Sequence, residues 1–453
     1  MMNMKRINFK SALLSSGWTQ NVAIDLDDQG IIAAISENHT QNGEWIDGYA
    51  MPGINNVHSH AFQRAMAGLA EYSTSRDDSF WTWRDIMYRF ADKITAEDLE
   101  VIASQLYLEM LKVGYISVAE FHYLHWQGDD NLAMSQAILS SAKNVGIALC
   151  HLPVLYMASG FGGQPLSEGQ KRFFHDVDGY LELHEKLSSQ LSRAKDQHLG
   201  VAFHSLRAVP ENALKKILAA NLSGPKHIHI AEQLQEVNES VAWSGKRPVE
   251  WLYEHVEVDE NWCLVHATHL AEHEISMIAR SGAVVGLCPT TEANLGDGLF
   301  PLATYLQHGG ALAIGSDSHI SVSVSEELRL LEYGQRLKYC GRNIAASDIE
   351  IHTGTRLYND CLRGGARASG FDNGAIEIGK RADLVVLDEN SPLLVGTPGR
   401  SIIDRFIFSG NQNAVKHVMV AGEMLIKDYK HINEQQIMSD FASTMIKLKK
   451  LLD

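Results

Sequence analysis

Two hydrophobic patterns divide the chain. Over residues 1–50 apolar and polar positions alternate in short runs broken by turn residues, as in NVAIDLDDQGIIAAIS, where DDQG reads as a hairpin loop. The same period of two returns in AIEIGKRADLVVLDEN and AVKHVMVAGEMLIKD, with a second hairpin at Ala421-Gly422. Both ends are therefore β-rich, and they are expected to build one small sheet module together. Between them the pattern changes. The short apolar runs YISVAEFHY, GIALCHLPVLY, LGVAFHSLRAVP, KHIHIAE, WCLVHATHL, GAVVGLCPT and ALAIGSDSH read as buried parallel strands. Segments between them, such as ITAEDLEVIASQLYLEMLKVG, carry apolar residues at i, i+3, i+4 and i+7. Strand-then-helix units repeated over about 300 residues favour an α/β fold of the (β/α)8 barrel type over a doubly wound sheet.

In such a barrel the chemistry collects at the C-terminal ends of the strands. His58 and His60, His122, His204 and Arg207, His229 and Glu232, His266, and Asp317 all lie at or just past the end of one of these runs. Composition narrows what they can do. The 453 residues are 45% apolar and 21% charged, as in a soluble globular protein. No run of about 18 apolar residues occurs, which argues against a membrane span. The N-terminal stretch has no convincing cleavage site, so a cytoplasmic location is expected. Five scattered cysteines without a CxxC pair indicate neither a disulfide framework nor a zinc ribbon. A net charge of −16 argues against nucleic acid, and an anionic substrate would need local arginines.

The segment MPGINNVHSHAFQRAMAG places His58 and His60 one residue apart, so on a strand both imidazoles point to one side. With 21 histidines in the chain, an HxH pair alone is weak. His227 and His229 in KHIHIAE share a face, and the SDS after ALAIG adds Asp317 at another strand end. Three neutral imidazoles and one carboxylate suit a divalent ion such as zinc, with a position left for water.

These motifs, with IHIAEQ, LVHATHL and GSDS in order, resemble the amidohydrolase superfamily and, within it, the formimidoylglutamate deiminase family. The likeness extends over essentially the whole chain. It implies a barrel with a split β-sandwich domain: 1–50 plus 366–430 as sandwich, 51–365 as catalytic barrel, and 431–453 as a C-terminal helix. It also implies one zinc ion per chain held by His58, His60, His229 and Asp317, with His227 structural. The absence of lysine from GYISVAEFHYLHW favours one ion over a lysine-bridged pair. Zinc lowers the pKa of bound water to roughly 7, giving a nucleophile near neutral pH. Glu232 is expected to relay a proton to the substrate nitrogen, Asp317 to accept a hydrogen bond from the attacking water, and His266 to orient it. Taken alone, Glu232 reads better as a helix first-turn carboxylate, and the lesser alternative for His266 is a satisfied core histidine.

Substrate recognition is expected from Gln63, Arg84, Tyr123, His204 and Arg207. Arg84, in an aromatic-rich loop, and Arg207 match the family's clamps for two carboxylates, although either can be a structural ion pair. CPTTEANLGDGLF resembles a stretch of related deaminases, with Thr291 and Glu292 at its middle and Cys288 packed in the strand. The implied substrate is a small anionic amidine, hydrolysed to a formyl product and ammonia in histidine degradation by a homodimer. Two other readings stay open: a deaminase of a neutral aminated heterocycle such as guanine, and a non-catalytic binding protein of the same fold.

Overall fold

The two β-rich ends pair with each other. The computed structural model describes residues 4–40, 43–71, 80–192 and 194–452. From the N-terminal side come β1 (Lys5–Leu14), β2 (Gly17–Leu26), β3 (Ile32–Ser36) and β4 (Trp45–Pro52). The DDQG turn joins β2 to β3. The barrel strands are β5 (Ile54–Ser59), β6 (Tyr115–His122), β7 (Ala148–Leu155), the split pair β8 (Gln197–Leu199) and β9 (Val201–Phe203), β10 (Lys226–Ile230), β11 (Trp262–His266), β12 (Val284–Leu287) and β13 (Ala311–Ile314). From the C-terminal side come β14 (Leu384–Leu387), β15 (Val415–Val420), β16 (Glu423–Lys427) and β17 (Lys430–His431), with Ala421-Gly422 turning β15 into β16.

The terminal strands form one sheet in the order β17-β16-β15-β14-β4-β1-β2-β3. β14 runs antiparallel to β4 from Leu384 opposite Pro52 to Leu387 opposite Tyr49, which stitches the two chain ends together. The alternating pattern buries Phe9, Val22, Ile24, Leu384 and Val386 in a core of its own. The helix Glu434–Leu452 follows and is tied to the helix Ala96–Lys112 by Lys447 Nζ on Asp98 at 2.6 Å.

The barrel strands are parallel throughout, β5 to β13 in chain order. A bridge between Ser59 and Asp317 brings the first strand against the end of the last. β6 and β7 are buried along their whole length, as expected of strands sandwiched between a barrel interior and covering helices. Among the described residues no helix is long and apolar enough to cross a membrane.

Candidate active site

Strand alternation aims the first two imidazoles. On β5 and just past it, His58 and His60 face the barrel interior, while Ser59 between them faces out and donates to Glu120 at 2.5 Å. On β6 the inward residue is Phe121, whose ring touches those of His58, His60 and His229. His229, near the end of β10, closes the set: its Nε2 lies 2.9 Å from His58 Nε2, which lies 3.1 Å from His60 Nε2. Asp317 Oδ1 stands 3.4 Å from His58 Nε2 and 3.3 Å from His60 Nε2.

Nitrogen atoms this close share either a proton or a common partner. His60 Nδ1 sits 2.9 Å from the Phe121 carbonyl oxygen, which can only accept, so Nδ1 carries the proton and Nε2 presents a lone pair to the cluster. Burial, reinforced by the neighbouring imidazoles, holds the His58 and His229 pKa values well below the ordinary range. Tetrahedral zinc with bonds of about 2.0–2.1 Å places its donors roughly 3.3 Å apart. The separations of 2.9–3.4 Å fit that donor set. Within the described residues, His58, His60 and Asp317, and likewise His58, His229 and His266, bring donor atoms within 4.8 Å of one another. His227 takes no part: its Nε2 donates to the Ala368 carbonyl at 2.7 Å.

A second layer surrounds this cluster. His266, at the end of β11, directs Nδ1 at Glu292 Oε1 (3.3 Å) and Nε2 at Glu232 Oε1 (3.7 Å) and Asp317 Oδ2 (3.8 Å). Burial disfavours its charge, but Glu232, the Glu292 hydrogen bond and Asp317 outweigh this and raise its pKa to about 10. Burial pushes the Glu232 carboxyl up to about 7 against the pull of His266. Glu232 precedes the helix Leu234–Ser244 and does not cap it. Glu236, in that helix's first turn, reaches back to accept from the backbone N–H groups of Ala231 (3.3 Å) and Glu232 (3.0 Å). The chain around the site is strained: Ala231, His266, Ala267, Asp317 and His319 all have φ between 46° and 67°, a region that side chains with a Cβ visit only where the surroundings impose it.

The cluster opens into a cavity walled by Trp83, Met87, Tyr88, Tyr156, Phe173 and Leu295. Of the residues expected to bind substrate, Gln63, Arg84, Tyr123, His204 and Arg207 all line it, together with Glu232, His266 and Asp317. Gln63 lies on the turn Ala61–Met66 and donates to the Tyr123 hydroxyl at 2.7 Å. His204 follows β9 directly, its ring 5.1 Å from that of His229. Arg84 differs from expectation in one respect, standing on the helix Phe80–Lys93 and not on a loop. His122 also ends a strand, yet it faces away, packed on His125 and His151. Cys288 is fully buried, and burial pushes its thiol pKa well up, as expected of a packed side chain.

Sequence reasoning missed several participants. Glu292 holds His266 and also accepts from the Cys288 backbone N–H at 2.9 Å. Asp297, 4% exposed, lies with Glu232 and His266 and is raised to about 9, by burial first and then by Glu232. Tyr88, Tyr156 and Phe173 supply much of the remaining wall. Glu292 and Asp297 stood in the CPTTEANLGDGLF stretch, whose resemblance was the signal available.

Comparison with known proteins is consistent with this geometry. A sequence model of the amidohydrolase family matches residues 49–425. Formimidoylglutamate deiminase from Pseudomonas aeruginosa is 49% identical, covering 99% of this chain and 100% of that protein. A 5-methylthioadenosine/S-adenosylhomocysteine deaminase from Haloarcula marismortui is 25% identical over 88% of this chain and 87% of its own. Among solved structures, an amidohydrolase from Brucella melitensis superposes with a TM-score of 0.93 at 40% identity, covering 98% of this chain and 99% of that one. An adenosine deaminase from Xanthomonas campestris with bound zinc shares the fold at a TM-score of 0.81 and 21% identity, over 98% of both chains.

Proposed function

The chain belongs to the amidohydrolase family, and from that premise we propose that it is a zinc-dependent deiminase, which hydrolyses the formimino group of N-formimidoyl-L-glutamate to N-formyl-L-glutamate and ammonia. One observation carries the reading: the imidazole–carboxylate cluster opens into the same cavity as the guanidinium groups of Arg84 and Arg207. An amidine to be hydrolysed and two carboxylates to be held call for that combination. The 49% identity to a deiminase of this substrate, across 99% of the chain, supports it.

His58, His60, His229 and Asp317 would hold a single zinc ion. When bound, the ion supplies an activated water as nucleophile. Asp317 divides its two oxygens, Oδ1 toward His58 and His60 and Oδ2 toward His266. Oδ2 can therefore accept a hydrogen bond from the nucleophile. His266 is held by Glu292 at Nδ1 and turns Nε2 toward the reacting centre, between Glu232 Oε1 and Asp317 Oδ2. Glu232, with a carboxyl poised at about 7, can take a proton at Oε1 and pass it to the departing nitrogen. Water adds to the amidine carbon, the carbon–nitrogen bond to the terminal amine breaks, and ammonia leaves with the relayed proton. Arg84 and Arg207 pair with the two carboxylates and set the amidine carbon against the cluster.

The same reading takes the enzyme as a cytoplasmic homodimer acting in histidine degradation, with the sandwich at 1–50 plus 366–430, the barrel at 51–365 and the closing helix at 431–453. Ammonia release from formimidoylglutamate, its aspartate homologue and guanine, by wild type and Arg207→Met, tests it. Turnover of the two dicarboxylates, none of guanine, and a steep loss in the variant are expected. Equal rates on guanine and formimidoylglutamate, or a fully active variant, would overturn the assignment in favour of a heterocycle deaminase. No turnover of any of the three would leave a binding protein.

A further inference from the structure

Gln170 lies on the short turn Glu168–Phe173, is 3% exposed, and has its amide orientation pinned. Its Oε1 accepts from the Ser167 backbone N–H at 2.9 Å and from Ser167 Oγ at 3.0 Å. With the oxygen so engaged, Nε2 must face the other way. There it donates to the hydroxyl oxygens of Tyr156 at 2.8 Å and Tyr88 at 3.2 Å. Gln63, which lines the cavity, also donates to a tyrosine, but its Oε1 has no hydrogen-bond partner among the described residues.

A tyrosine hydroxyl has one proton, and an oxygen that accepts from Gln170 must send its own proton elsewhere. Tyr88 and Tyr156 interact with each other, which uses at most one of their two protons. Both line the cavity shared with Arg84 and Arg207, and Arg84 stands over the Tyr88 ring, 5.5 Å from its centroid. Arginine only donates, so it cannot take the remaining proton. Among the described residues no further acceptor receives that O–H, and it is left for whatever occupies the cavity.

We infer that Gln170 is a positioning residue that sets the hydrogen-bond polarity of the Tyr88–Tyr156 pair, so that this wall of the pocket donates and selects a carboxylate over a neutral carboxamide. A carboxylate presents lone pairs to every donor it meets. A carboxamide at the same place turns an N–H2 toward donors and leaves it unpaired. The inference rests on the functional reading above, in which the substrate carries two carboxylates.

Gln170→Glu separates polarity from folding. One glutamate oxygen can still accept both bonds from Ser167, because this capping arrangement suits Glu as well as Gln. The other oxygen faces the tyrosines as an acceptor and draws their protons out of the cavity. The variant should melt near wild type, raise KM for formimidoylglutamate by about 10- to 100-fold, the weight of a hydrogen bond to a charged group, and change kcat by less than about threefold. Its preference for the substrate over the side-chain carboxamide analogue should narrow. Tyr88→Phe with Tyr156→Phe should raise KM comparably, and adding Gln170→Glu to that pair should change it by less than about threefold. A wild type that turns the substrate over while Gln170→Glu keeps its KM, or a Gln170→Glu effect undiminished without the hydroxyls, overturns this inference alone. A wild type that releases no ammonia from formimidoylglutamate overturns the functional reading and this inference with it.

Discussion

The protein buries two groups of histidines on the same barrel, and they are built oppositely. In one, His58, His60 and His229 turn their Nε2 atoms toward a common centre that Asp317 shares. In the other, His122, His125, His151 and His175 pack ring against ring, 4.5–5.6 Å between centroids. There the ring nitrogens diverge, His125 Nε2 to the Val154 carbonyl at 2.9 Å and His151 Nε2 to Ser135 Oγ at 3.0 Å. Among the described residues no cluster of possible metal donors draws on this second group. Burial leaves both groups uncharged, so burial is not what separates them. Convergence of lone pairs on a carboxylate is, and for His58, His229, His122 and His151 it comes from which face of its strand each imidazole occupies, while His125 and His175 stand on loops.

The largest contrast is expected from removing one histidine of each kind. His229→Ala should lose both bound metal and measurable turnover, whereas His151→Asn should keep metal content and turnover per folded molecule and lose only stability. Elemental analysis and ammonia release on the same preparations decide this; loss of metal from the His151 variant would erase the distinction. Next in size is Glu232→Gln, which should retain the metal and lower turnover by about 10²- to 10⁴-fold, the usual weight of a general acid–base group. Normal turnover would assign the proton relay elsewhere. Arg207→Met removes a buried charged pair with substrate, typically about 2–5 kcal/mol, and should lower kcat/KM accordingly without touching metal content.

The smallest effect is on acid stability. Burial pushes His151 down to about 3 and His175 to about 4, both from 6.5. The unfolded chain thus takes up protons below pH 6.5 that the folded chain refuses until pH 3–4, so stability from these groups is whole above pH 6.5 and is lost progressively as the pH falls through that window. His151→Asn should lessen the fall in unfolding free energy between pH 6.5 and pH 3, measured relative to the same variant at pH 7. An unchanged slope would mean that His151 does not contribute.

Much of this was legible in the chain. Buried apolar runs separated by helical patterns announced the barrel, and HxH, HIHIAE and GSDS announced the cluster. The phase of β6 was not legible: VAEFHY is buried on both faces, so alternation could not tell whether Phe121 or His122 looks inward. Arg84 was read on a loop because the aromatic residues around it hid a helix. The supporting carboxylates Glu236, Glu292 and Asp297 act through burial and through contacts with distant strands, which no local spacing encodes. Gln170 was silent for the same reason: its role arises where a capping turn meets two tyrosines from elsewhere in the chain.

The central claim is that the convergent cluster is a one-ion hydrolytic site, and titrating zinc into metal-stripped protein while following ammonia release from formimidoylglutamate tests it most directly. Activity should be absent without metal, rise in proportion to zinc, and stop rising at one ion per chain. Full activity in the stripped protein, or a rise that continues to two tightly held ions per chain, would contradict it.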